Sequence, residues 1–353
     1  MTFEQRRLAL AETLPDGLPA ILVTKLPNVR FLTGFTGSNA AVFVQADGVT
    51  VLATDGRYAE QAAAESPGLQ IRISRNVAAE LVGHAASVGV TRVGFESGHV
   101  SVALREVLSS AGVELVGLQG VVESLRECKD DAELRAVRTA CAITDLAFVA
   151  VTERLTPGVT ERQVAWHLLE HMHSHGAEAA AFDSIVAFGP HSAIPHHRPT
   201  DRALQRGDLV KLDFGALVDG YHADMTRTVV CGPAAAWQRE LHAGVLQVQQ
   251  RCRDAAVEGA VPVELDAVAQ DLVAQTGAQL VHGLGHGVGL EIHEAPFLVP
   301  GSKDQPLRRG CTVTVEPGIY RPGEGGVRIE DTVLITDAAP EPLTRSAREL
   351  LEV

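Results

Sequence analysis

The chain has 353 residues, of which 30 are basic and 44 acidic, and its net charge of -14 argues against nucleic acid as a partner. Apolar residues make up 46% of it, the composition of a globular protein long enough to bury a large core and divide into two domains. The start, MTFEQRRLALAETLPDG, lacks the apolar stretch of a signal peptide and no later run is long enough to span a bilayer, so a cytoplasmic protein without membrane contact is expected.

Residues 19 to 118 alternate short apolar strands (AILVT, AAVFV, TVLAT, LQIRI) with helical stretches such as Val77 to Val88, the pattern of a small α/β domain. A boundary is expected near 120 to 130, giving domains 1–125 and 126–353. The second domain opens with CKDDAELRAVRTACAITDLAFVAVTERL, a long helix apolar at Leu134, Val137, Cys141 and Leu146 and closed by Pro157-Gly158. Thr160-Glu161-Arg162-Gln163 is a capping box that starts the next helix. That helix carries His167-Leu168-Leu169-Glu170-His171, a match to the inverted zinc-peptidase pattern. No third ligand follows in a recognisable context, so a partly exposed helix is the preferred reading, and His191 and His197 stay unassigned. Cys128, Cys141, Cys231, Cys252 and Cys311 are odd in number and lack C-x-x-C spacing, which favours reduced packing residues.

Arg206 to Val230 reads as two antiparallel strands joined by Asp219-Gly220, a strong hairpin signal. With those two residues as the loop, Asp213 faces Thr226 and Asp224 faces Gly215. The two aspartates then lie diagonally on one face, about 7 Å apart at their bases. Carboxylates that close repel unless a cation or proton intervenes, although this hairpin alone fits two solvated acids equally well. Next comes VHGLGHGVGLEIHEAP, where His282, His286 and His293 alternate with glycines that let the backbone approach a site closely. Finally, TVTVEPGIYRPGEGGVRIEDTVLI reads as strand, turn, strand, with Glu316 and Glu330 symmetric about Gly323 and able to face each other. Four carboxylates and an imidazole suit manganese, cobalt, iron or zinc better than calcium.

The ordered set LDFGALVDGYHADMTRT, HGLGHGVGLEIHE, VEPGIY and VRIED resembles the pita-bread-fold metallopeptidases, which include methionine aminopeptidase, prolidase and aminopeptidase P, from Lys129 to Thr344. The resemblance implies a fold of mixed α/β (α+β) class, a small N-terminal α/β domain followed by a catalytic domain with two carboxylate-bearing hairpins. It implies that Asp213 chelates one divalent ion, that His286 and Glu316 bind a second, and that Asp224 and Glu330 bridge the two. Manganese is expected, with cobalt or zinc as alternatives. FGPHSAIPHHRPTD matches His196 to an active-site histidine of the proline-specific members, and His282, His293, Arg328 and Tyr320 match further positions there. FLTGFTGSNAAVFV and VLATDGRYAEQA resemble the N-terminal domain of aminopeptidase P enzymes, where this region helps form a homodimer and closes over the active site.

These likenesses imply an Xaa-Pro aminopeptidase acting on peptides with proline second, with Xaa-Pro dipeptidase (prolidase) as the nearest alternative. A non-catalytic binding module and a creatinase-like hydrolase without metals rank lower. In the expected mechanism a hydroxide bridging two ions about 3.5 Å apart attacks the scissile carbonyl. Glu316 relays its proton to the prolyl nitrogen, and His196 and His293 hold the developing oxyanion. His282, Arg328 and Tyr320 position substrate or the ligands themselves.

Overall fold

Residues 1–302 and 305–353 are described by a computed structural model, in which the chain divides into two units, Met1–Arg126 and Glu127–Val353. In the first unit the expected strands form β1 (Ala20–Val23), β2 (Ala40–Gln45), β3 (Thr50–Thr54) and β4 (Gln70–Ile73), followed by β5 (Arg92–Glu96) and β6 (Glu114–Leu118). They make one mixed sheet in the order β4-β3-β2-β1-β5-β6. β1 occupies an inner position because all four of its residues are apolar and buried. The helix Val77–Ser87 sets Ala78, Leu81, Val82 and Ala85 against this sheet, one apolar stripe at helical spacing.

The second unit begins with the long helix, Asp131–Thr152, opened by a capping box between Asp130 and Glu133. Its buried stripe runs through Glu133, Val137, Ala140, Cys141, Thr144, Phe148 and Val151. Leu146 lies off that stripe and is 51% exposed, and Leu134 is only half-buried, so two of the four expected anchors do not anchor it. The helix also ends at Thr152, short of Pro157-Gly158. The next helix, Glu161–Ser174, starts at the capping box of Thr160 and Gln163.

Two hairpins then carry the acids. The first consists of β9 (Leu209–Phe214), β10 (Ala216–Val218), β11 (Tyr221–His222) and β12 (Met225–Val230), preceded by β7 (Ala179–Ala180) and β8 (Ile185–Phe188). Asp219 and Gly220 at its tip both have positive φ, the backbone of a two-residue type I′ turn, and the expected register follows, with Asp213 opposite Thr226. Midway the hairpin changes sheets: β10 and β11 belong to a sheet in which β10 pairs with β7, whereas β9 and β12 belong to one in which β9 pairs with β8. Gly215 marks the change, since a Cβ there would overlap the carbonyl of Ala223.

The remaining strands are β13 (Gly285–Gly287), β14 (Glu294–Leu298), β15 (Thr312–Val315), β16 (Gly318–Arg321), β17 (Gly325–Arg328), β18 (Asp331–Leu334) and β19 (Glu341–Pro342). β15 and β18 pair within a five-stranded sheet ordered β14-β13-β15-β18-β19, while β16 and β17 form their own ladder. Val315 faces Asp331 in one ladder and Gly318 faces Arg328 in the other. The helices Ala236–Ala255 and Pro262–Ala274 pack Val245, Val248, Cys252, Leu265 and Ala269 into a core shared with Val313, Val315 and Val333.

Candidate metal centre and active site

Glu316 and Glu330 sit in the gap between the two ladders of the second hairpin. The ladders on either side share one register, which sets Glu316 opposite Glu330 as expected, but the two exchange no ladder hydrogen bonds. Instead the Glu316 N–H donates to Leu284 O (2.9 Å) and the Glu330 N–H to Thr226 O (3.1 Å), so each backbone turns toward a different neighbour. Threonines knit the hairpins together. Thr226 Oγ1 donates to Glu330 Oε2 (2.7 Å), Thr332 Oγ1 to Asp224 O (2.8 Å) and Thr228 Oγ1 to Arg328 O (3.0 Å). These hydroxyls serve one carboxylate and two backbone carbonyls where the hairpins meet.

His286 arrives on β13, where a Cβ at Gly285 would collide with Thr314 O. Its Nδ1 donates to Gly287 O (3.0 Å), which aims Nε2 at the acids: 3.2 Å from Glu316 Oε1 and 3.7 Å from Asp224 Oδ2. Ligand atoms of Asp224, His286 and Glu330 all lie within 4.8 Å of one another. Asp213 Oδ1 and Glu330 Oε1 are buried with no hydrogen-bond partner among the described residues. Burial first, then Glu330 and Asp213, pushes the Asp224 carboxyl well above its ordinary range, and burial with Glu316 and Asp213 does the same to Glu330. Orphaned carboxylate oxygens beside an aimed imidazole nitrogen are the donor set that divalent cations satisfy. The five residues therefore fit the expected metals.

A cavity of about 460 Å³ opens over this cluster, with His196, His282, His293 and Arg328 also on its wall. The His293 ring stands edge-on to His286 at 4.3 Å, and burial followed by the charge of His286 lowers its pKa. Arg328 is 2% exposed and turned toward protein groups: it pairs with Asp213, donates from Nε to Thr226 Oγ1 (3.1 Å) and from Nη1 to Tyr320 Oη (2.8 Å). The Tyr320 hydroxyl in turn donates to His282 Nε2 (2.9 Å), because His282 Nδ1 is committed to Gly283 O. Arg328 and Tyr320 thus hold ligands and His282 in place, and Tyr320 stands behind the cavity wall. Phe182, Ile185, Ile292 and Phe297 supply an apolar side that no sequence pattern had singled out.

Metallopeptidase family M24 matches residues 135–337, and the creatinase/prolidase N-terminal domain matches residues 7–128. The chain belongs to metallopeptidase family M24. It is 35% identical to the Xaa-Pro dipeptidase of Pyrococcus horikoshii over 95% of each chain. The Xaa-Pro dipeptidase structure from Bacillus anthracis superposes with a TM-score of 0.95 at 35% identity, covering all of both chains. An X-Pro aminopeptidase from Thermotoga maritima superposes at 0.91 with 32% identity over 99% of each. The pita-bread architecture of such enzymes accounts for the paired hairpins described above.

Other side chains of this M24 chain shape the site without having been legible as part of it. Lys211, two residues before Asp213 on the same face of β9, is fully buried and donates to Ile194 O (2.6 Å) and Pro195 O (3.1 Å). Burial and then Arg328 lower its pKa to about 6. On the other side of His196, Glu161 is fully buried and accepts from Phe188 N (2.9 Å), His191 Nδ1 (2.8 Å), His197 Nε2 (2.9 Å), and Thr200 N and Oγ1 (2.9 and 2.6 Å). The segment 188–200 that presents His196 is therefore fastened on both flanks. His167 and Glu170 are 3.6 Å apart on their helix and belong to no ligand cluster among the described residues. No helix among the described residues is long and apolar enough to cross a membrane.

Proposed function

We propose that this chain is an Xaa-Pro dipeptidase, hydrolysing the bond between an N-terminal residue and a following proline in a dinuclear metal site. The observation that carries it is the cluster of Asp224, His286 and Glu330, with orphaned oxygens on Asp213 and Glu330, beneath a cavity with one apolar side. Likeness to Xaa-Pro dipeptidases over nearly the whole chain favours dipeptides over the longer substrates first expected. The aminopeptidase reading stands second, favoured by the Thermotoga likeness.

Asp213, His286, Glu316, Asp224 and Glu330 would hold two divalent ions, with manganese, cobalt or zinc all compatible with the donors. When bound, such ions acidify a coordinated water and polarise the scissile carbonyl. Burial opposes ionisation of Glu316, but the His286 hydrogen bond and the charges of His286 and Arg328 lower its pKa and favour the carboxylate. It accepts the proton of the attacking water and delivers it to the prolyl nitrogen, which must be protonated to leave. His196 and His293 donate to the carbonyl oxygen as charge gathers there. An Xaa-Pro bond has no N–H, so the site needs no acceptor at that nitrogen. Phe182, Ile185, Ile292 and Phe297 offer the pyrrolidine ring an apolar surface.

The test is hydrolysis of Ala-Pro beside an Ala-Pro-Xaa tripeptide, with manganese and after chelation. Cleavage of Ala-Pro alone, lost on chelation and restored by metal, is expected. Cleavage of the tripeptide moves the aminopeptidase reading to the front, and no metal-dependent cleavage of either refutes both.

A further inference from the structure

Away from the cavity, two cysteines distant in sequence meet at a seam of the second unit. Cys128 lies just ahead of the helix Asp131–Thr152, and Cys311 immediately precedes β15. The two residues form an isolated antiparallel bridge and their Sγ atoms are 3.5 Å apart. The backbone around them is fixed: Lys129 N donates to Gly310 O (2.9 Å), Gly310 N to Ile335 O (2.9 Å) and Ile335 N to Cys311 O (2.8 Å). Residues directly opposed across an antiparallel pair have Cα atoms about 4.5–5.5 Å apart, inside the range that disulfides span. The sulfurs need only side-chain rotation to reach bonding distance.

The pair is also chemically unequal. Cys128 is half-buried and Cys311 is buried. The hydrogen bond from Cys311, assisted by Arg308 and opposed by burial, lowers the Cys128 thiol to about 7, while the same contact and burial raise Cys311. Cys141, Cys231 and Cys252 are buried and pushed up by burial, so they lack this reactivity.

We propose that Cys128 and Cys311 form a peroxide-responsive dithiol that closes reversibly to a disulfide. The Cys128 thiolate attacks one peroxide oxygen and the O–O bond breaks, which leaves a sulfenic acid and, after protonation, one water. The Cys311 sulfur then attacks the Cys128 sulfur, the S–O bond breaks, and its oxygen leaves as a second water with the Cys311 proton. Two thiols lose two electrons and two protons, and the peroxide is reduced to two waters. The bond joins residues 183 apart in sequence and tethers the segment leading into the long helix to β15, the strand that ends one residue before Glu316.

The experiment is to treat the full-length, metal-loaded protein with hydrogen peroxide, alkylate the remaining thiols, and map the peptides with and without dithiothreitol. A 128–311 cross-linked peptide, a mass loss of about 2 Da and full reversal by dithiothreitol are expected. The oxidised wild type should unfold about 5 °C higher, since the closed loop is long. Cys128→Ser and Cys311→Ser should each lose both the cross-link and the shift, but the wild-type map decides by itself. A Cys128 that stays alkylatable, or that reaches sulfinic acid with no cross-linked peptide, overturns the proposal.

Discussion

Glu161→Gln keeps the shape of a buried side chain and removes its charge. The carboxylate receives hydrogen bonds from Phe188, His191, His197 and Thr200, and these outweigh burial to bring its pKa from 4.5 down to about 2. A shift of that size corresponds to roughly 3 kcal/mol of folding free energy at neutral pH. Counting bonds gives a similar figure, because an amide offers a donor where one oxygen accepted and takes charge assistance from the rest, about 0.5–1 kcal/mol each. The depressed pKa fixes the sign: the stabilisation is complete above the ordinary carboxyl range and is lost as pH falls from 4.5 toward about 2. Thermal unfolding of wild type and Glu161→Gln at pH 7 should differ by about 6–12 °C, and the gap should narrow between about pH 5 and pH 3. Turnover should fall in the variant while bound metal does not, since Glu161 fastens the segment bearing His196 rather than the metal ligands. A midpoint within about 2 °C of wild type at pH 7, or a gap indifferent to acid, would refute the reasoning.

Asp224→Asn and Glu330→Gln should each abolish turnover and lower metal stoichiometry, and full activity in either removes the bridging role. In chelated protein Glu330→Gln should instead unfold at a higher temperature than wild type at pH 8. A carboxyl whose folded pKa is raised costs stability as pH climbs past its unfolded value, and the amide escapes that cost. His196→Ala should lower kcat by about 100-fold with metal content intact. Lys211→Met should also lower kcat, yet add little on top of His196→Ala, because Lys211 acts through the carbonyls of Ile194 and Pro195. Fully additive losses would show that Lys211 works elsewhere.

The register of the first hairpin was legible because Asp219-Gly220 fixes the loop length, and a fixed loop fixes every partner, Asp213 with Thr226 included. The symmetry of Glu316 and Glu330 about Gly323 was legible for the same reason. That both fall in a gap between ladders was not, since the gap is made by third parties, Leu284 O and Thr226 O, far away in sequence. Glu161 read only as part of a capping box, and His191 and His197 as nothing, because their connection spans 30 and 36 residues. Lys211 did leave a signal: alternation puts it on the same face as Asp213, a cation amid an apolar run. Leu146 misled because it is apolar but lies off the stripe that Glu133, Val137 and Phe148 define.

Each hairpin changes sheets partway along, and its acids sit at or beside that change. Ligand geometry is therefore anchored by what the strands touch at the crossover, and not by how far away the tip lies. The two tips already differ, a two-residue turn at Asp219-Gly220 and a broader bend around Gly323. Evolution or an engineer can lengthen, decorate or graft onto either tip, adding residues in pairs that keep strand parity, while four carboxylates hold their positions.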